Sequence, residues 1–340
     1  MSTGIQWTDE TWNPIRARNK ETGRVGHFCE KVDAACKNCY AEALQARYFG
    51  NPIHYGPGDR DKVELFLDER VLMQPFHWKR PRMVFPCSMT DLFGEWVPRH
   101  WIDRIMAVMA LTPRHTYQVL TKRAKGMAEY FNDLVLISMV PEEYAVRTWR
   151  IMKEMRKLGG SVETMVPWPL PHLWLGASAG TQKGLEMQLP GLLRCPAAVR
   201  WLSVEPMLER VTPTALPDYC NEPGWKFDAF RYHRYHSAVP SGPRKEEWIN
   251  APGHPVIHWV VCGGESGHGY RALDEDNVRD LRDQCVDAGV AFYYKQKGGH
   301  TPKAGGRLLD GREWNEMPVL RPQISQDLSR SGGMAVATNP

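Results

Sequence analysis

Apolar residues gather in short, near-continuous runs separated by longer stretches of helical period. The runs are RMVFPCSM (Arg82–Met89), TYQVLT (Thr116–Thr121), LWLGAS (Leu173–Ser178), RWLSVEP (Arg200–Pro206), HWVVCGG (His258–Gly264) and AFYYKQ (Ala291–Gln296). Runs of this length without polar alternation predict strands covered on both faces, as in parallel sheets. WNPIRA (Trp12–Ala17) predicts a first strand, and VELFLDE (Val63–Glu69) a short accessory one. Between the runs, HWIDRIMAVMAL sets Ile102, Ile105, Met106 and Met109 on one helical face. NVRDLRDQCVDAG does the same with Val278, Leu281 and Cys285, then stops at Gly289, which suits a helix C′ position. Strand and helix in repetition predict right-handed βαβ units around a parallel sheet.

Polar residues recur where these strands end: Asp91, Lys122, Ser178, Glu205, Glu265 with Ser266, and Lys295 with Gln296. Parallel α/β folds build their sites at the carboxyl ends of strands. Any one of these residues alone is equally a solvated loop residue or a helix cap; six such ends predict a convergent pocket. Two stretches break the rhythm. Residues 124–171 exceed one crossover and contain TWRIMKEMRKLG, a helix; residues 209–255 are rich in Pro, Gly and aromatics and contain FRYHRYH (Phe230–His236). A long insertion near an active face is usually a lid or binding loop. The tail after Arg321 lacks an apolar period, so a single domain over 1–320 with a mobile tail over 321–340 is expected.

The composition is that of a soluble chain: 340 residues, 42% hydrophobic, with a net charge of +4. That mild basicity permits a nucleotide or nucleic-acid partner without requiring one. No leader-like start and no apolar run near the ~20 residues of a membrane span is seen, which predicts a cytoplasmic protein without membrane contact.

Of eight cysteines, three fall close together in FCEKVDAACKNCYAEALQARY: Cys29, Cys36 and Cys39. Clustered cysteines in a cytosolic chain point to metal or redox chemistry before disulfides. Cys36 and Cys39 are three apart at a helix entrance and so lie close on one face. The loop from Cys29 is long enough to fold back on them. The guests are zinc, with His27 or His54 as fourth ligand, or an iron–sulfur cluster with one iron left open. Three unliganded thiols so close together are an oxidation liability.

The pattern C-x6-C-x2-C-Y-A-E after IQWTDETWNP, continued by RPRMVFPCSMTDLF, HTYQVLTKR, LWLGASAGTQ, RWLSVEPML, WVVCGGESG and FYYKQKGG, resembles the phage-associated DUF5131 family from about Ile5 to Gly299. That family looks like a divergent branch of the radical S-adenosylmethionine superfamily. The resemblance implies a partial or complete parallel (β/α) barrel of TIM-like, radical SAM type. It also implies a [4Fe-4S] cluster on Cys29, Cys36 and Cys39, bound S-adenosyl-L-methionine, and an external electron donor. The first cysteine gap here is six residues where the superfamily has three. The aromatic follows the third cysteine, as Tyr40, and the Gly-Gly-Glu run comes after a late strand.

Within that frame Ser88 and Asp91 occupy the place where the superfamily binds the cofactor's amino group, and Ser178 the place of a ribose contact. Gly263 and Gly264 would let a ligand approach the backbone, and Glu265 would accept from a hydroxyl or amine. Lys122, Arg123 and Lys295 would meet phosphate or carboxylate. Glu205, Lys122 and Lys295 are the expected catalytic groups, with a Glu205 salt bridge to either lysine as the plain alternative. FRYHRYH suggests nucleic acid, although residues 209–255 hold six Lys/Arg against six Asp/Glu. The expected function is a radical enzyme acting on a nucleotide or nucleic acid; the alternative is a zinc- or cluster-stabilised barrel that binds nucleic acid or protein without catalysis.

Overall fold

The computed structural model of the protein describes residues 3–50, 53–135, 144–160, 169–217, 225–236, 246–248, 256–301 and 303–319. Seven strands form one sheet: β1 (Glu10–Trp12), β2 (Met83–Pro86), β3 (Thr116–Thr121), β4 (Leu173–Ser178), β5 (Val199–Val204), β6 (Trp259–Gly263) and β7 (Ala291–Gln296). Their order in the sheet is their order in the chain. Every neighbouring pair is parallel. The sheet curls into a half-barrel. The helices are α1 (Tyr40–Phe49), α2 (Arg99–Leu111), α3 (Ala124–Val135), α4 (Tyr144–Lys157), α5 (Gln182–Arg194) and α6 (Glu275–Ala288). α6 ends as its sequence predicts, with Gly289 in the left-handed region at φ 66°.

Alternation along the strands sends one set of side chains outward and the other inward. The outward set (Val84, Tyr117, Val119, Leu175, Leu202, Val260, Phe292) joins the large core shared with the helices. The inward set is mainly aromatic: Phe85, Trp174, Trp201, Trp259 and Tyr293, with Trp7 from the segment before β1. Trp7 lies 5.0 Å from Phe85, 5.1 Å from Trp201 and 6.2 Å from Trp259, centroid to centroid. One side chain thus touches β2, β5 and β6, which a flat sheet forbids. These rings plug the amino-terminal half of the concave face. Gly176 belongs to the plug by what it lacks, because a Cβ there would overlap the Trp201 indole.

Three features differ from the sequence expectation or go beyond it. The first predicted strand is split at Asn13-Pro14. Trp12 ends β1, while Ile15–Asn19 pairs antiparallel with Val25–Gly26 and Val63–Leu67 in a side sheet. Helix α5 takes the place the βαβ repetition assigns it although Gly184, Pro190 and Gly191 interrupt its apolar pattern, which the sequence reading did not spell out. Gly191 has a packing reason: a Cβ there would stand 2.5 Å from the Ala124 backbone at the start of α3. Finally, the described part of the 209–255 insertion packs on the outside of the barrel, on α5 and α6. Arg210 pairs with Asp280 at 2.6 Å, Arg231 with Asp287 at 2.5 Å, and Thr214 donates to Gln284 at 2.8 Å. Gln182 at the start of α5 accepts from Thr212 N at 2.8 Å. The predicted tail, 321–340, lies outside the described residues. Among the described residues no helix is long and apolar enough to cross a membrane.

Candidate functional site at the carboxyl rim

Above the aromatic plug the inward positions change character. Continuing the alternation past Trp174 and Gly176 on β4 reaches Ser178; past Trp201 on β5 it reaches Ser203 and then Glu205. Past Val261 on β6 it reaches Gly263, and past Tyr293 on β7 it reaches Lys295. Lys122 follows β3, and its ammonium donates to Ser178 Oγ at 3.0 Å. Lys295 donates to Glu205 across the intervening strand β6. Gly263 lies beside this pair: a Cβ there would stand in ordinary contact, 3.5 Å from Lys295 Cβ and 3.6 Å from the Glu205 carboxyl carbon. The side chains of Lys295 and Glu205 keep 16% and 19% of their surface, so the pair is reachable from the rim.

The cysteine loop lies against this polar layer and is fixed at both ends by the turn after β2. Thr90 Oγ1 donates to Phe28 O, just before Cys29, at 2.5 Å. The Tyr40 hydroxyl, just after Cys39, donates to Ser88 O at 2.7 Å. Asn13 braces the turn, accepting from Met89 N at 3.0 Å and donating to Ser88 Oγ at 3.0 Å. Cys87 enters that turn at φ 56°, a conformation costly for any residue but glycine and common where a site over-determines its backbone.

The middle of the loop is clamped from two sides. Asp33 caps the short helical turn Ala34–Cys36, accepting from Cys36 N at 3.1 Å, and takes the Lys122 ammonium at 3.3 Å. From the far side Glu265, 5% exposed, accepts from Asn38 Nδ2 at 2.9 Å and from Arg271 at N (2.8 Å), Nε (3.0 Å) and Nη2 (2.6 Å). Arg271 Nη1 closes the clasp on Ala34 O at 2.9 Å. Burial opposes the Glu265 carboxylate, but the hydrogen bonds from Arg271 and Asn38 outweigh it and hold its pKa below the ordinary value.

The three thiols are free and half-buried. Burial raises the pKa of each; Asp91 and the other two thiols push Cys29 further up, while Lys122 opposes the rise at Cys36. Cys29 and Cys39 pack on one cluster with Ala41, Tyr55 and Met89, but among the described residues no group of three or more His, Cys, Asp or Glu stands as it is in a metal-holding arrangement. The donor set itself, three soft sulfurs on one loop, fits zinc or an iron–sulfur cluster better than a hard cation. The alternative ligands are engaged elsewhere. His27 is buried, its Nδ1 donates to Ile15 O at 3.2 Å, and burial lowers its pKa to about 3. His54 is exposed on Glu42.

Several residues expected to face a ligand are instead occupied within the chain. Asp91 accepts from Thr121 Oγ1 (2.7 Å), Lys122 N (3.0 Å) and Phe93 N (3.0 Å) and pairs with Arg123. Arg123 also holds Glu95 at 2.8 Å and lies 4.4 Å over the Trp96 ring. Gly264 admits chain, not ligand, because a Cβ there would overlap the Lys297 carbonyl. Glu265 belongs to the clasp. Arg231 is held by Asp228 and Asp287. Cys29, Cys36, Cys39, Ser88, Lys122, Ser178, Glu205, Gly263 and Lys295 remain at one rim.

Tyr40 was missed. It keeps 48% of its surface open while turning its hydroxyl inward; desolvation of that hydroxyl, with Cys39 and Glu205 nearby, raises its pKa. Its place directly after Cys39 was the available signal. Arg271 meets Glu265 from six residues away and Asn38 from the other end of the chain, and neither carried a signal.

Around the mouth Lys122, Arg123, Arg271 and Lys295 are each paired, with Asp33, Asp91, Glu95, Glu265 and Glu205 as partners. These four cations face five carboxylates, and Lys37, exposed between Cys36 and Cys39, stands outside those pairs. No curated protein and no solved structure matches the chain. The ordered motifs that build this rim nevertheless have counterparts elsewhere, for residues 2–318 match one family along nearly the whole chain, and the protein belongs to DUF5131, a family described as being of unknown function.

Proposed function

We propose that the protein is a radical S-adenosylmethionine-type enzyme whose half-barrel is of the radical SAM kind. The observation that carries this reading is one loop bearing three free thiols, fixed by Thr90 and Ser88 against the carboxyl rim of a parallel half-barrel. Cys29, Cys36 and Cys39 would hold a [4Fe-4S] cluster with one open iron. When bound, such a cluster supplies the electron that cleaves S-adenosyl-L-methionine to a hydrogen-abstracting species. The chain's own residues do the rest. Asp33, Glu265 and the turn after β2 position the loop, and Ser88, Tyr40, Lys122 and Ser178 line the space beside it. Glu205 and Lys295 meet the substrate on the far side. The aromatic plug excludes water from below.

The test is anaerobic reconstitution with iron and sulfide, then iron and sulfide analysis and assay of 5′-deoxyadenosine release on adding reductant and S-adenosylmethionine. A brown protein with about four irons per chain that releases 5′-deoxyadenosine is expected. Stoichiometric zinc in a colourless protein, with no cluster after reconstitution, would overturn the proposal in favour of a metal-stabilised binding barrel.

A further inference from the structure

The rim pair Glu205–Lys295 defines the kind of group the pocket receives. We infer that it reads a cyclic amide edge, an N–H and a C=O held side by side, as in an oxo-nucleobase. The inference rests on the proposed reading that the rim layer receives the substrate.

Charge narrows the class first. Among the described residues Lys122, Arg123, Arg271 and Lys295 already face carboxylates; Lys37, exposed on the cysteine loop, stands outside these pairs. Three thiolates around a metal would add negative charge beside Lys37. A ligand whose reacting part is anionic gains little from cations already paired, and a neutral polar one is favoured.

The pair itself narrows the class further. Its contact uses Glu205 Oε1 and one hydrogen of the Lys295 ammonium. Among the described residues this leaves Oε2 as an acceptor and the other ammonium hydrogens as donors, side by side and charged. Charged partners make the stronger hydrogen bonds. A ligand N–H donates to Oε2 while its C=O accepts from Lys295 Nζ, so neither group leaves the ion pair. A trans peptide bond sends its N–H and C=O in opposite directions; a lactam holds them on one edge. Gly263 keeps the space over the pair free of a side chain. The ring of Tyr40, 48% exposed with its hydroxyl held on Ser88 O, offers a face for a flat heterocycle at the rim.

The experiment measures binding by equilibrium dialysis and ligand-observed NMR, on protein as purified and after iron–sulfide reconstitution. The probes are uridine, 3-methyluridine, a cyclic dipeptide and a linear blocked dipeptide. Saturable uridine or cyclic-dipeptide binding at millimolar concentrations or below is expected, at least about tenfold weaker for 3-methyluridine, which has no N–H for the carboxylate, and for the linear dipeptide, whose trans amide cannot present both groups on one edge. Preference for uridine identifies a nucleobase and preference for the cyclic dipeptide a cyclic peptide; either supports the lactam edge. Lys295→Met and Glu205→Gln/Lys295→Met should each remove the discrimination. Equal binding of uridine and 3-methyluridine, no saturation by either cyclic amide, or unchanged discrimination in the double variant overturns the inference. The ligand-side comparison stands even if the variants fold poorly. Absent discrimination in a fully clustered protein defeats this inference alone, whereas discrimination in a protein that never takes up iron defeats the radical reading alone.

Discussion

Glu265→Ala should loosen the cysteine loop without unfolding the barrel. The carboxylate is 5% exposed and takes four hydrogen bonds, three from Arg271 and one from Asn38. Charge-assisted bonds contribute about 1.5–3 kcal/mol each at most. The full sum is not realised, because the Arg271 side chain is 30% exposed and resolvates once its partner is gone. Asn38 keeps a second acceptor, Gly269 O, at 2.9 Å. A local loss of about 2–3 kcal/mol follows, comparable to the low end for breaking a buried pair. At about 1.4 kcal/mol per tenfold, loop opening should rise some thirty- to hundredfold. The assay is labelling with an aromatic disulfide, read thiol by thiol by mass spectrometry. Cys36 and Cys39 should react faster by about that factor, while Cys195, Cys262 and Cys285, buried beneath helices and sheet, stay protected. Equal acceleration at all sites would mean global destabilisation, and no acceleration at Cys36 would remove the clasp. Acid should mimic the variant. The carboxylate's folded pKa is lowered, so its contribution is complete above the ordinary carboxylate value and is lost as pH falls through the folded one.

Gly264→Ala should cost several kcal/mol or prevent soluble expression, because the new methyl overlaps the Lys297 carbonyl, whereas Gly263→Ala meets nothing nearer than 3.4 Å and should fold; thermal melts of the two decide. His258 accepts from Arg200 N at 3.1 Å, and burial with the Arg200 charge lowers its pKa to about 4. Its stabilisation is therefore complete above its ordinary pKa of about 6.5 and lost as pH falls toward 4, by up to about 3 kcal/mol. Urea midpoints across that window should fall, and fall less in His258→Gln. Cys36→Ala should abolish cluster binding, and Cys195→Ala and Cys285→Ala should retain it; iron content per chain is the measure, and full iron in Cys36→Ala would sink the ligand assignment.

The six apolar runs from Arg82 to Gln296 read correctly because strands buried on both faces need no polar alternation. The first strand did not, since Asn13-Pro14 turns the chain within a run that looks continuous. α5 followed from the βαβ repetition rather than from its own pattern, which Pro190 and Gly191 blur; Gly191 is explained by the Ala124 backbone beside it. The rim was legible as a set of polar strand ends, and the structure joins Lys122 to Ser178 and Lys295 to Glu205 there. Sequence alone does not distinguish a residue left open for a ligand from one spent on the chain itself. Asp91, Gly264 and Glu265 look identical to ligand-facing residues until Thr121, Lys297 and Arg271 arrive beside them. The aromatic 209–255 insertion suggested a lid for the same reason: composition reveals that it packs, not on what.

The ring plug sets a floor. Trp201 and Glu205 are four residues apart, about 13 Å at the rise of a strand residue. Ser203 and Ser178, at the levels between, are 3% and 4% exposed, so side chains fill most of that height and the solid interior reaches close beneath Glu205 and Lys295. On the proposed reading a substrate would therefore meet this face as one small group, or as a single unit turned out of a polymer, rather than as a strand threaded through it.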